Sequence, residues 1–149
     1  MATGGRKDPL AGYHFCIEID GVQDATFRDC AGLDSETEII EQKEAGKNGV
    51  VVLRKLPGKL KWSNVTLKRG ITDSMSLWEW RKKVEDGKIS EARKTGSIVV
   101  YDTENKEVAR YNFKDCWPSK VTGPSLNAAG NEVAVEEVVL VHEGLERVK

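Results

Sequence analysis

The sequence predicts a mainly β protein with one flanking α-helix. Three observations carry this expectation. Residues 13–20 alternate strictly, with Tyr13, Phe15, Ile17 and Ile19 on one side and His14, Cys16, Glu18 and Asp20 on the other, the period of a half-buried strand. Further runs rich in valine, isoleucine and leucine recur between clusters of glycine, proline and asparagine. Helical periodicity over a useful length is confined to about residues 74–85.

At 149 residues the chain fits a single domain, 1–149, able to bury roughly two-thirds of its unfolded surface without a covalent staple. It is 39% hydrophobic and 32% charged, which excludes collagen-like, low-complexity and disordered classes. With 23 basic against 24 acidic residues it lacks the charge of a protein that coats nucleic acid. No signal-peptide run and no apolar stretch of bilayer length occurs, so synthesis and assembly in the cytoplasm are expected. Cys16, Cys30 and Cys116 are an odd number with no C-x-x-C pair, which reads as free thiols.

The elements follow in order. About residues 1–10 are small, polar and glycine-rich, an arm expected to be mobile in an isolated monomer and to order against a partner. After the strand at Tyr13, Asp20-Gly21 is a two-residue hairpin signal, and the return strand is expected over Val22 to Cys30, ending at Gly32. Thr37 to Gln42 reads as a strand, Lys43 to Gly49 as an exposed loop, and Val50 to Leu56 and Lys59 to Arg69 as strands joined at Pro57-Gly58. Leu60 and Trp62 lie on one parity but Val65 and Leu67 on the other, so a bulge or bend is expected at Ser63-Asn64.

Asp73 or Ser74 is placed to cap a helix running through Glu85, with capping-box spacing at Ser76 and Glu79 and a stop at Gly87. Leu77, Trp80 and Val84 form its apolar stripe. Trp78 lies about 200° around the axis from Trp80, so it faces a second surface and is a candidate interface anchor. Strands are then expected at Ser97 to Asp102, Glu107 to Lys114 and Glu132 to His142, the last apolar on both parities and so needing cover on both faces.

Chemistry finds little footing. No phosphate-binding glycine loop is present. His14 and Cys16 share a strand face, but a metal site needs three or four ligands and the other histidine, His142, is remote in sequence. Glu136 and Glu137 are adjacent on a strand and point to opposite faces, which defeats paired acid–base work. The basic runs Lys59–Lys61, Lys68–Arg69 and Arg81–Lys83, near Trp62 and Trp78, have equal acidic charge around them and read as solvated faces. No catalytic, cofactor-binding or metal residue is assigned, and no enzyme activity is expected.

Three segments carry a resemblance: Leu56-Pro-Gly-Lys-Leu-Lys-Trp-Ser-Asn-Val-Thr-Leu-Lys-Arg-Gly70, the helix Leu77-Trp-Glu-Trp80, and Cys116-Trp-Pro-Ser-Lys120 leading to His142-Glu-Gly-Leu145. With Asp8 to Phe15 and Ala31-Gly-Leu33, they resemble the tail tube (inner tube) proteins of contractile phage tails and phage-tail-like contractile injection systems, from about residue 8 to 146. The resemblance implies a β-barrel-like subunit that forms six-fold rings, which stack into a hollow tube driven through a target envelope by sheath contraction to deliver cargo. Implied partners are copies of itself, the sheath, baseplate or tube-initiator and tube-terminator proteins, and cargo in the lumen, with no cofactor and no membrane insertion of the subunit. The particle is then either released or membrane-tethered.

By the same resemblance, inter-ring or subunit contacts are expected from Gly5, Arg6, Lys7, Asp8, Pro9 and Leu10 and from Glu44, Lys47 and Asn48. Asn64, Thr66, Lys68 and Glu136 are expected to face the lumen. Variants of the reading are a phage tail tube conducting DNA and a baseplate-proximal tube initiator. Outside the class stands a monomeric ligand-binding β-barrel, which has the same strand content but forms no rings.

Overall fold

In the computed structural model, which describes residues 15–19, 27–71, 75–130 and 134–149, the opening alternation becomes β1 (Phe15–Ile19). Ile17 and Ile19 are buried and Glu18 is exposed. β1 pairs antiparallel with β6 (Lys94–Tyr101), setting Phe15, Ile17 and Ile19 beside Val100, Ile98 and Gly96 on one apolar face. Gly96 is there for space: a Cβ would lie 2.8 Å from Ile19 Cγ1 and 2.9 Å from the Phe113 ring.

β6 continues into β7 (Glu107–Thr122), the longest strand, which serves two partners in turn. Its first half pairs with β6 and with β9 (Gly144–Arg147), and Trp117–Thr122 pair with β8 (Val135–Val141). The change of partner falls at Asp115, whose φ of 49° kinks the strand. Pro118 sits beside a register shift on the β8 side, where the ladder is already interrupted and its missing N–H costs least. β8 then pairs with β5 (Val65–Gly70), and β5 with β2 (Asp29–Ala31), giving the order β1-β6-β7-β8-β5-β2 with β9 beside β7.

The core lies between the inner faces of these strands and one helix, α1 (Ser76–Glu85). Leu77 and Trp80 from α1 meet Val65, Leu67, Val138, Leu140, Ile98 and Phe113, all nearly fully buried. A four-residue helix, α2 (Ile89–Ala92), was not foreseen; its buried Ala92 accepts a 2.6 Å hydrogen bond from Trp80 Nε1 through its carbonyl, satisfying the indole inside the core. Among the described residues no helix is long and apolar enough to cross a membrane.

Several expectations are corrected. The hairpin at Asp20-Gly21 lies outside the described residues, but β2 pairs with β5 and not with β1. The reason is that β6 offers β1 a longer apolar match, while Cys30 of β2 pairs with the core residue Leu67. The sheet is not a closed barrel among the described residues, because β1 and β2 remain as its two edges. Pro57-Gly58 is not a turn: β4 runs from Val51 to Trp62, and the break before β5 falls at Ser63-Asn64, where the parity changes. The helix begins at Ser76, so Ser76 lies inside it and Met75 precedes it with no side-chain cap; Asp73 and Ser74 lie outside the described residues.

Candidate assembly surface

Among the described residues β4 pairs only with β3 (Ser35–Ala45), and the two form a separate two-stranded ribbon of β-branched and charged residues. The expected loop at Lys43 to Gly49 is shorter than the glycines indicated: β3 extends to Ala45, and the turn is closed by a single 3₁₀ turn over Lys47–Gly49. Asn48 and Gly49 adopt φ of 70° and 74° there, which asparagine and glycine tolerate best. Register is fixed by Ile40 opposite Leu56 and Glu44 opposite Val52, with a bulge between Thr37 and Ile39.

The two faces differ. One carries Ile40, Leu56 and Val52 with Gln42, Arg54 and Glu44, and Arg54 Nε donates to Glu44 Oε2 at 2.7 Å. The other carries Ile39, Pro57, Leu53, Ala45 and Val51 with Glu41, Lys55 and Lys43. Ile39 and Val51 are each 65% exposed, and Val52, Leu53, Leu56 and Leu60 are exposed too. A lone hairpin is marginal in water, and exposed large apolar side chains on both of its faces mark a contact surface. Glu44, Lys47 and Asn48 sit at the distal end of this ribbon.

The ribbon leaves the body through a tight root. Gly32, at φ 92°, lies so close to the chain that a Cβ would fall 2.0 Å from the Asn64 carbonyl oxygen. Ser63 N donates to Asp34 O at 3.4 Å, and His142 Nε2 donates to Ser63 O at 3.1 Å. The His142 ring lies 5.9 Å from that of Trp62 and 6.4 Å from that of Phe113. The two remote histidine and tryptophan segments of the sequence thus meet where the ribbon joins the body.

Trp78 does face away from the core stripe and is about a third exposed. Its Nε1 donates to Glu136 Oε1 at 3.1 Å, and the other carboxylate oxygen pairs with Arg69 Nε at 3.3 Å. Glu136 and Arg69 are buried, so the lumen assignment of Glu136 is corrected. Register explains why: Thr66 and Lys68 stand beside Val139 and Glu137 on one face of the sheet, while Glu136 shares the opposite face with Arg69, Val138 and Leu140. Asn64 and Lys68 are exposed and Thr66 is half-buried. The sequence held the clue, since Arg69 repeats the parity of Val65 and Leu67 and a guanidinium buried there needs a carboxylate.

Among the described residues, neither Cys30 nor Cys116 is prepared as a nucleophile. Burial pushes the Cys30 thiol up to about 11 and the Cys116 thiol up to about 12, so both stay protonated near neutrality. Cys16 Sγ donates to Tyr101 Oη at 3.4 Å. Among the described residues no group of three or more potential ligands is arranged around a metal position. His14 and the arm residues Gly5 to Leu10 lie outside the described residues.

No curated protein sequence matches the chain. Among solved structures, the sheath/tube terminator of the PVC extracellular contractile injection system in its extended state superposes with a TM-score of 0.82 at 23% identity, over 97% of this chain and 100% of the other. The PVC sheath–tube complex in the extended state gives 0.78 at 24% identity, over 93% and 90%. Hcp1 from Flavobacterium johnsoniae gives 0.59 at 14% identity, over 90% and 94%. At these identities the likeness establishes the fold. The family model of the T4-like virus tail tube protein gp19 matches residues 11–146, nearly the whole chain, and the protein belongs to that tail tube family.

Proposed function

We propose that the chain is the repeating inner-tube subunit of a contractile injection system. Its copies form hexameric rings that stack into a hollow tube, and contraction of a surrounding sheath drives the tube through a target envelope with its cargo. The observation that carries this reading is the β3–β4 ribbon, whose exposed apolar side chains on both faces are available for cover by other molecules. Contacts of one patch with a different patch propagate along an axis, which is the geometry of a stacked tube. Partners that seed and stop such growth fit the neighbouring folds, which include a tube terminator and a baseplate component.

Within this reading Glu44, Lys47 and Asn48 at the ribbon tip and the arm residues Gly5 to Leu10 make inter-ring contacts. The face with Asn64, Thr66, Lys68 and Glu137 lines the lumen. It mixes both signs of charge, which suits a passage that must not hold its cargo. Negative-stain microscopy and light scattering across a concentration series, with and without a baseplate seed, test the proposal. Hollow rings or cylinders of uniform width support it; a strict monomer under all of these conditions refutes it.

A further inference from the structure

Asn48 is the only asparagine in the sequence followed by glycine. It lies in the 3₁₀ turn Lys47–Gly49 with its side chain exposed, and its carboxamide makes no hydrogen bond among the described residues. The carboxamides of Asn112 and Asn127 are engaged instead, accepting from Ser97 Oγ at 2.6 Å and from Ala129 N at 3.0 Å. Asn64 is followed by the buried, β-branched Val65, and the nitrogen after Asn105, that of Lys106, donates to Asp102 Oδ1 at 2.9 Å. At Gly49 nothing guards the nitrogen: there is no side chain, and even an added Cβ would meet no atom within 4 Å. Lys47, exposed and in no ion pair among the described residues, adds a positive charge to the same turn, which favours an amide nitrogen that has lost its proton.

We infer that Asn48-Gly49 is a site of spontaneous covalent modification, deamidation of Asn48 through attack by the Gly49 backbone nitrogen, with water as the second reactant. The nitrogen bonds to Asn48 Cγ, the Cγ–Nδ2 bond breaks, and the amide proton leaves with the departing group as ammonia, giving a five-membered succinimide. Water then opens the ring at one of its two carbonyls. Opening at Cγ gives aspartate, and opening at the main-chain carbonyl gives isoaspartate, in which the chain runs through the side-chain carbons. The ψ of 23° at Asn48 holds the Gly49 nitrogen away from the carboxamide, so attack follows a rotation about the Cα–C bond of Asn48. A single exposed 3₁₀ turn, with a non-helical residue inside it, permits that rotation on a timescale far shorter than the chemistry. The second exposed acidic-type residue before a glycine, Asp86, is held differently: its carboxylate lies 3.7 Å from Lys82 Nζ and the Gly87 nitrogen donates to Val84 O at 3.1 Å, at the end of a ten-residue helix. Modification puts a carboxylate in the turn that also holds Lys47 and follows Glu44, lowers the formal net charge from -1 by one to -2, and in the isoaspartate form lengthens the turn by one main-chain carbon. The site needs no assembly, so its failure leaves the proposed function standing.

The test is incubation of the folded wild-type monomer, and of the same chain unfolded in urea, in mildly alkaline ¹⁸O-water. Pepsin digestion in acid, where the reaction does not run, and mass spectrometry follow. Expected from the folded chain are ¹⁸O-labelled aspartate and isoaspartate at position 48, one ammonia released per label, a later-eluting species on anion exchange, and no label at the other five asparagines or at Asp86. Asn48→Gln, checked for folding by circular dichroism, is expected to lose the label and the late species, because its longer side chain would have to close a six-membered ring. Label at position 48 from the unfolded chain alone overturns the inference, since the folded turn then protects the residue. Label spread evenly over the asparagines of the folded chain, or absent from both samples, overturns it too.

Discussion

Removing the carboxylate of Glu136 is expected to be the most damaging single polar substitution in the body of the subunit. Glu136 and Arg69 have side chains 9% and 2% exposed, so solvent cannot replace what either loses. Breaking a buried ion pair from one side typically costs 3–5 kcal/mol. Arg69 also lies 5.8 Å from the Phe27 ring, and Trp78 is exposed enough to find water for its indole N–H, which places Glu136→Leu at the low end, about 3 kcal/mol. For a chain of this length that corresponds to a fall in Tm of roughly 6–12 °C. Glu136→Gln keeps an acceptor for Trp78 but loses the charge, and should fall between wild type and Glu136→Leu. Arg69→Met combined with Glu136→Leu removes both charges and should recover most of the loss. Urea unfolding followed by tryptophan fluorescence, run as a double-mutant cycle, measures each term. If Glu136→Leu costs under about 1 kcal/mol, or the double variant is no better than the single, the ion pair does not fix this region as argued.

Three further outcomes are expected. Gly32→Ala combines a left-handed backbone with a Cβ 2.0 Å from the Asn64 carbonyl, and should destabilise the ribbon root by about 2 kcal/mol or more, read by urea unfolding; a neutral result would mean the root yields easily. Cys116 is a thiol whose folded pKa is raised from 9.0 to about 12, so the unfolded chain loses its proton first and stability falls as pH rises above 9.0. Between pH 9 and 11 the cost is about 2 kcal/mol, and Cys116→Ala should flatten that slope whatever it does to stability at pH 7. Leu53→Asp, at an exposed ribbon position, should leave the unfolding midpoint within about 0.5 kcal/mol of wild type yet abolish rings and tubes in the microscope. Assembly of normal-length tubes from that variant would remove the ribbon from the interface.

Local patterns in the sequence were enough for the class of fold. Alternation at Phe15–Ile19, the stripe of Leu77 and Trp80, the stop at Gly87 and the break at Ser63-Asn64 each depend on neighbours a few residues apart, and each is found in the structure. The helix start was less legible, because capping-box spacing at Ser76 and Glu79 is common and tertiary packing of Leu77 decides where the helix begins. Pro57-Gly58 misled for a related reason. A ribbon strand free of sheet neighbours on its outer edge can carry a proline that a central strand could not.

The sequence by itself determined which residues seek burial, since that follows from side-chain chemistry and period. The tertiary structure alone decided which strands pair, because the free energy of pairing β1 with β6, or β2 with β5, depends on surfaces brought together from about eighty or forty residues apart. Glu136 shows the difference at one residue. Its parity among valines was visible in the sequence, but only the meeting of β5, β8 and α1 turned a supposed lumen charge into the buried partner of Arg69 and Trp78. The ribbon shows it for a whole element: its apolar residues read as ordinary strand interior, and the fold left them exposed.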